Sequence, residues 1–157
     1  MENRKIYPNE LKWSFSFPAV VTPVWDYTTN TQRMQQSSGL FDIVYTGSSE
    51  EEKGISGFFK WKFYKLAFVE KTIVFMKQFY ITREFKFAKG PLTLLKMQTH
   101  YTESQGQTTI HIHLSTYSPS FISSFLLFLY LRLIFKRKYN SALKHLYRFL
   151  LNKEHAA

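Results

Sequence analysis

The chain contains no cysteine. That excludes disulfide frameworks, thiol nucleophiles, iron–sulfur clusters and thiolate zinc sites together. Chain breakers are scarce: there are 6 glycines and 5 prolines in 157 residues, and residues 121–151 contain neither. Acids are also few, with 11 Asp and Glu against 21 Lys and Arg, a formal charge of +10. No apolar run approaches the ~20 residues of a bilayer span; residues 125–131 are apolar, and Arg132 ends the run. No apolar segment follows Met1, so no signal peptide is expected and a cytoplasmic location is. The familiar catalytic signatures are missing as well: no Gly-x-Ser-x-Gly, no Walker loop, no dinucleotide fingerprint and no His-Glu-x-x-His. Neither a catalytic residue nor a cofactor is expected.

What the chain does have is aromatic and basic. Phe, Tyr and Trp make up 18% of it. The positive charge is concentrated late. Residues 119–157 carry seven Lys or Arg and one acid, Glu154. Such a balance attracts anions, whether nucleic acid, lipid headgroups or an acidic ligand. The length suits one domain, expected over residues 11–153, with residues 1–10 as a flexible leader.

Periodicity organises the rest. Leu11, Trp13, Phe15 and Phe17 alternate with Lys12, Ser14 and Ser16, the pattern of a half-buried strand ended by Pro18. Thr22 before Pro23 predicts one short helix, and Asn30 or Thr31 a second, running to Met34. From Leu40 to Tyr117 the alternation has period two. Strands are expected over about 40–45, 54–65, 71–78, 79–88, 92–102 and 107–117, with breaks at Gly90-Pro91 and Ser104-Gln105-Gly106. With no long helical pattern between them, they form an antiparallel meander. Ser120 then caps a single long helix over 121–151, with a bend expected near 136–140.

Register gives each side chain a face. An even loop at Ser104-Gln105 places Leu95, Met97 and Tyr101 on the same side as Ile110, Ile112 and Leu114. Lys96, Gln98, His100, His111 and His113 fall on the other side. Three histidines on one face suggest a metal site. No acid in these two strands orients them, and the face is solvated, so no metal is expected. Phe79, Ile81, Phe85 and Phe87 share a face with Arg83. A guanidinium in an apolar stripe keeps its charge and needs an anion or polar partner. Glu70 is the internal candidate, giving a structural ion pair; an acidic ligand is the alternative. Phe59, Trp61 and Phe63 form another stripe, against Phe58, Lys60 and Lys62. Aromatics interleaved with lysine also occur on single-strand nucleic-acid binders, but no RNA-binding signature accompanies them and no nucleic acid is expected.

The order strand, two short helices, meander, long helix is similar to that of the START-like (SRPBCC, helix-grip) superfamily. Residues 15–19, then Val24-Trp25-Asp26-Tyr27, Thr31-Gln32-Arg33-Met34 and Gly39-Leu40 resemble the start of that fold. Phe68-Val69-Glu70-Lys71, Arg83-Glu84-Phe85 and Gly90-Pro91-Leu92 resemble a bacterial subgroup that includes START-like domains preceding nucleotide cyclase catalytic domains. The resemblance covers about residues 11–152. It implies an α+β fold in which a curved antiparallel sheet of about seven strands wraps a long C-terminal helix. It also implies an apolar cavity between sheet and helix that takes a hydrophobic small molecule or lipid. The lining would come from Trp25, Phe59, Trp61, Phe63, Phe79, Ile81, Arg83, Phe85, Met97 and Tyr101. The superfamily shares no catalytic residues, so a non-enzymatic binding role is expected. The alternative is an enzyme of the polyketide cyclase or dehydrase type, with Arg83, Glu70 and Tyr101 as its polar groups.

The last helix raises a third reading. Apolar residues run nearly all round it from Phe125 to Phe135, and Lys136, Arg137 and Lys138 follow. That is the composition of an interfacial anchor for an anionic membrane surface. The competing expectation is that the first helices or a homodimer partner cover the surplus face.

Overall fold

The computed structural model describes residues 6–30, 42–46, 55–61 and 64–154. Seven strands form one antiparallel sheet: β1 (Tyr7–Phe17), β2 (Asp42–Tyr45), β3 (Ile55–Trp61), β4 (Tyr64–Met76), β5 (Tyr80–Phe87), β6 (Leu94–Ser104) and β7 (Gln107–Ser118). The strands β2 to β7 make a meander, and β1 adds beside β7, giving the order β1-β7-β6-β5-β4-β3-β2. One helix, α1 (Val21–Thr29), follows β1. The C-terminal helical segment has three parts: α2 (Phe121–Tyr130), a π-helical turn (Leu131–Phe135) and α3 (Lys136–Glu154). The second short helix expected near Met34 lies outside the described residues.

Alternation in the sequence becomes two faces of the sheet. Trp13 pairs with Ile112 and Phe15 with Ile110; Tyr101 also pairs with Ile110 and Met97 with Leu114. These side chains share the concave face, where Trp13, Phe17, Tyr101, Ile110, Ile112 and Leu114 are buried against Leu131, Tyr139, Ala142, Leu143, Leu146 and Leu150 of the last helix. The β6–β7 hairpin fixes this register. Ser104 pairs with Gln107, and the two residues between, Gln105 and Gly106, both have positive φ. A turn of that kind matches the twist of the strands it joins.

Several boundaries depart from the sequence reading. The strand β1 begins at Tyr7, ahead of the alternation, and Tyr7 is paired with Ser118. The expected strand over 54–65 instead ends at Trp61, which pairs with Tyr64, and β4 begins there. The register of β4 on β5 shifts between Thr72 and Val74. This bulge moves the inward set from Glu70, opposite Phe85, to Phe75, opposite Ile81. Phe79 is not part of the inner stripe: it sits in the β4–β5 turn, 62% exposed. Helix α1 begins at Val21 rather than beyond Thr22, and Val20 offers no side-chain cap. The carboxylate of Glu103 takes that role, accepting from the Val21 N–H at 2.8 Å.

The long helix is interrupted one turn before the expected bend. Ser120 Oγ accepts from the Ser123 N–H at 3.2 Å and starts the helix as its cap. At Leu131 the repeat widens, and the Lys136 N–H donates to the carbonyl of Leu131, five residues back. Before the turn Ser124 is buried; after it Tyr139, Ala142, Leu143, Leu146 and Leu150 are.

Candidate functional site

A polar cluster lies inside the concave face where α1, β4, β5, β6 and α3 meet. Arg83 sits on β5 between Ile81, which packs in the main core, and Phe85, which packs with Phe68, Phe87 and Leu92 in a second apolar cluster. Its Nε lies 3.6 Å from Glu70 Oε1, and both side chains are largely buried. Its Nη2 donates to the carbonyl oxygen of Thr29 at 2.7 Å. Thr29 is the last residue of α1, so the guanidinium also lies at the negative end of that helix. One cation thus neutralises a buried carboxylate and ties a helix terminus to the sheet.

Tyr101 holds the same helix from β6. Thr28 donates its hydroxyl proton to the Val24 carbonyl at 2.8 Å. With its own proton committed, Thr28 Oγ1 accepts from the Tyr101 hydroxyl, 2.7 Å away. The Trp25 ring meets Tyr101 edge-on at 4.9 Å and Phe75 at 5.5 Å. Burial pushes the Tyr101 hydroxyl up to about 12, against the opposing effect of the Arg83 charge. Burial likewise raises Tyr139, reinforced by Tyr101 and opposed by Arg83. Both phenols are neutral at ordinary pH.

A linkage consequence follows. An unfolded tyrosine ionises near 10. Folded-state values above that mean full stabilisation below about pH 10 and progressive loss as pH rises toward about 12. In an alkaline titration of the ten tyrosines, phenolate absorbance should therefore rise in two stages, the later coinciding with loss of far-UV ellipticity. Tyr101→Phe should shrink the later stage; an unchanged later stage would contradict this assignment.

Between these groups is a void of about 20 Å³, lined by Thr28, Ile81, Arg83, Met97, Thr99, Tyr101 and Tyr139. That is room for about one water molecule. Of the expected lining residues, Ile81, Arg83, Met97 and Tyr101 meet here. Trp25 is buried behind Tyr101, and Phe85 belongs to the second cluster. Phe79 is outside the site. Phe59 and Trp61 pair with Leu66 and Tyr64, but their side chains, and Phe63, lie outside the described residues. Tyr139 and Thr28 were not singled out from the sequence. Tyr139 follows three basic residues; only its spacing to Ala142, Leu143 and Leu146 marks it as inward.

The convex face is different in kind. His111 and His100 face each other across β7 and β6, with ring centroids 6.0 Å apart, and Tyr80 lies beyond at 6.3 Å from His100. Ser14 Oγ is 2.9 Å from His111 Nδ1. An acid is present after all, from the neighbouring strand: Glu10 Oε2 lies 3.3 Å from His113 Nε2 and 3.5 Å from Lys12 Nζ. Lys12, Ser14, Tyr80, His100, His111 and His113 line an open groove of about 550 Å³. Among the described residues, no group of three His, Asp or Glu is placed to hold a metal ion. No helix among them is long and apolar enough to cross a membrane.

No family model and no curated protein matches the chain. Solved structures do. The Mll3558 protein of Rhizobium loti superposes with a TM-score of 0.69 at 12% identity, covering 90% of this chain and 99% of that one. A conserved protein of Geobacillus kaustophilus gives 0.68 at 9% identity, covering 88% and 95%. Ara h 8.0201, a Bet v 1-like helix-grip protein, gives 0.63 at 6% identity, covering 89% and 98%. At these identities the likeness is one of fold: the chain has a helix-grip architecture, a curved antiparallel sheet with a long C-terminal helical segment.

Proposed function

We propose that the chain binds a hydrophobic small molecule or lipid between the sheet and the last helix, without catalysing a reaction on it. The observation that carries this reading is the polar cluster of Arg83, Glu70, Tyr101 and Thr28 set against the main apolar core. Binding sites for apolar molecules are typically apolar walls with a few fixed polar groups that orient the ligand. The void itself is too small for such a molecule, so binding displaces side chains. Met97, unbranched and adaptable, and Tyr139, on the helix, are the two that bound it and can yield. The ligand class that fits is an apolar body with one acceptor, a carboxylate or carbonyl, directed at Arg83. The likeness of residues 68–71 and 83–85 to domains preceding nucleotide cyclases extends the reading to sensing, with a catalytic domain on a partner or in a longer gene product as the responder.

Native mass spectrometry of protein purified without organic solvent should show a co-purified adduct. Titration with a fluorescent fatty acid should saturate. Met97→Ala, which enlarges the void, should tighten that binding several-fold, and Arg83→Met in a Glu70→Gln background should weaken it. Absence of an adduct, together with probe binding unmoved by either variant, would refute the interior site.

A further inference from the structure

We infer that the outward face of α2 and the π turn is a docking surface for an anionic lipid bilayer. This goes beyond the interior site and does not depend on it. The surface is large and apolar: Phe121 is 66% exposed, Ile122 71%, Phe125 54%, Leu126 59% and Leu133 64%. The helix is nevertheless seated. Its inner side buries Ser124 and Leu131, and Asn9 Nδ2 donates to the Ser124 carbonyl at 2.8 Å. The exposed residues are therefore the second side of a docked helix, and packing against the sheet leaves them uncovered.

The charge beside this surface selects its occupant. Arg132, Arg137 and Lys138 are exposed and Lys136 is half-buried, all within two turns of Leu133. From Pro119 to Lys153 the chain carries no acid. A second copy meeting this face about a twofold axis would bring two such cationic clusters together with no carboxylate from the segment to offset them. A bilayer with anionic headgroups supplies both halves of the complement, acyl chains for the apolar side and phosphates for the cations. The exposed stretch, about 20 Å long at the helical rise, suits a helix lying in the interface and is too short to cross it.

The test is sedimentation with vesicles of phosphatidylcholine alone and with a rising share of phosphatidylserine, at low and high salt. The full chain should pellet with the anionic vesicles, increasingly with phosphatidylserine. Arg132→Glu with Arg137→Glu should weaken partitioning roughly thirtyfold or more, the loss expected from two surface cations alone. Phe125→Ser with Leu126→Ser should abolish binding while leaving the thermal melt unchanged. Binding that survives the serine variant would overturn apolar docking in favour of mere adsorption. No binding to any vesicle, with a dimer in sedimentation velocity that Leu126→Ser dissociates, would assign the face to a second copy and overturn the proposal.

Discussion

Arg83→Met should cost about 3–5 kcal/mol of stability, far more than its loss of packing warrants. The substitution strands the Glu70 carboxylate, 6% exposed, without its cation. It also removes the donor to the Thr29 carbonyl at the end of α1. Glu70→Gln alone loses the charge interaction but leaves Arg83 its carbonyl. In the double variant no buried charge remains, so its cost should fall well below the sum of the single ones. A urea double-mutant cycle should therefore return a coupling energy of about 1–3 kcal/mol. Additivity within about 0.5 kcal/mol would show that the two side chains do not act as a pair.

Leu143→Ala should destabilise by about 2–5 kcal/mol, and Leu133→Ala by no more than about 0.5 kcal/mol. The two leucines lie on one continuous helical segment and differ only in facing. Leu143 is 0% exposed within the main core, and Leu133 is 64% exposed. For a domain of this size the first loss lowers the melting temperature by about 2–4 °C per kcal/mol. Comparable costs at the two positions would mean that the helix is not phased as described.

How much of this was legible depends on how the residues constrain one another. The β6–β7 pairing was, because apolar residues occur on one parity only and a two-residue turn admits one register. Arg83 was, because a guanidinium in an apolar stripe demands a partner wherever the chain goes. The β3–β4 boundary was not. Residues 58–64 are aromatic or lysine on both parities and contain neither Gly nor Pro, so nothing in them marks where one strand ends. The bulge between Thr72 and Val74 was hidden for a related reason: Thr72, Ile73, Val74 and Phe75 all favour strands on either face. Phe79 was misplaced because a three-residue turn looks like strand when its residues are Lys77, Gln78 and Phe79. The near-filled interior could not be read at all, since the same side chains line a cavity or pack solid depending on distances that composition does not contain.

The π turn makes the helix sensitive to length at one place and indifferent to it at another. A turn of this kind accommodates one residue more than the α repeat allows. Remove a residue from 131–135 and the turn closes to ordinary α geometry. Leu143 and Leu146 stay fixed by the sheet, and because the residue lost is the surplus one, α2 keeps its facing, with Ser124 still turned inward. The same deletion within α3 would instead drag the core leucines out of phase. A one-residue deletion is therefore read differently on the two sides of Lys136. The π turn absorbs it with both faces kept, whereas within α3 it turns the core leucines by about 100° and unmakes the fold.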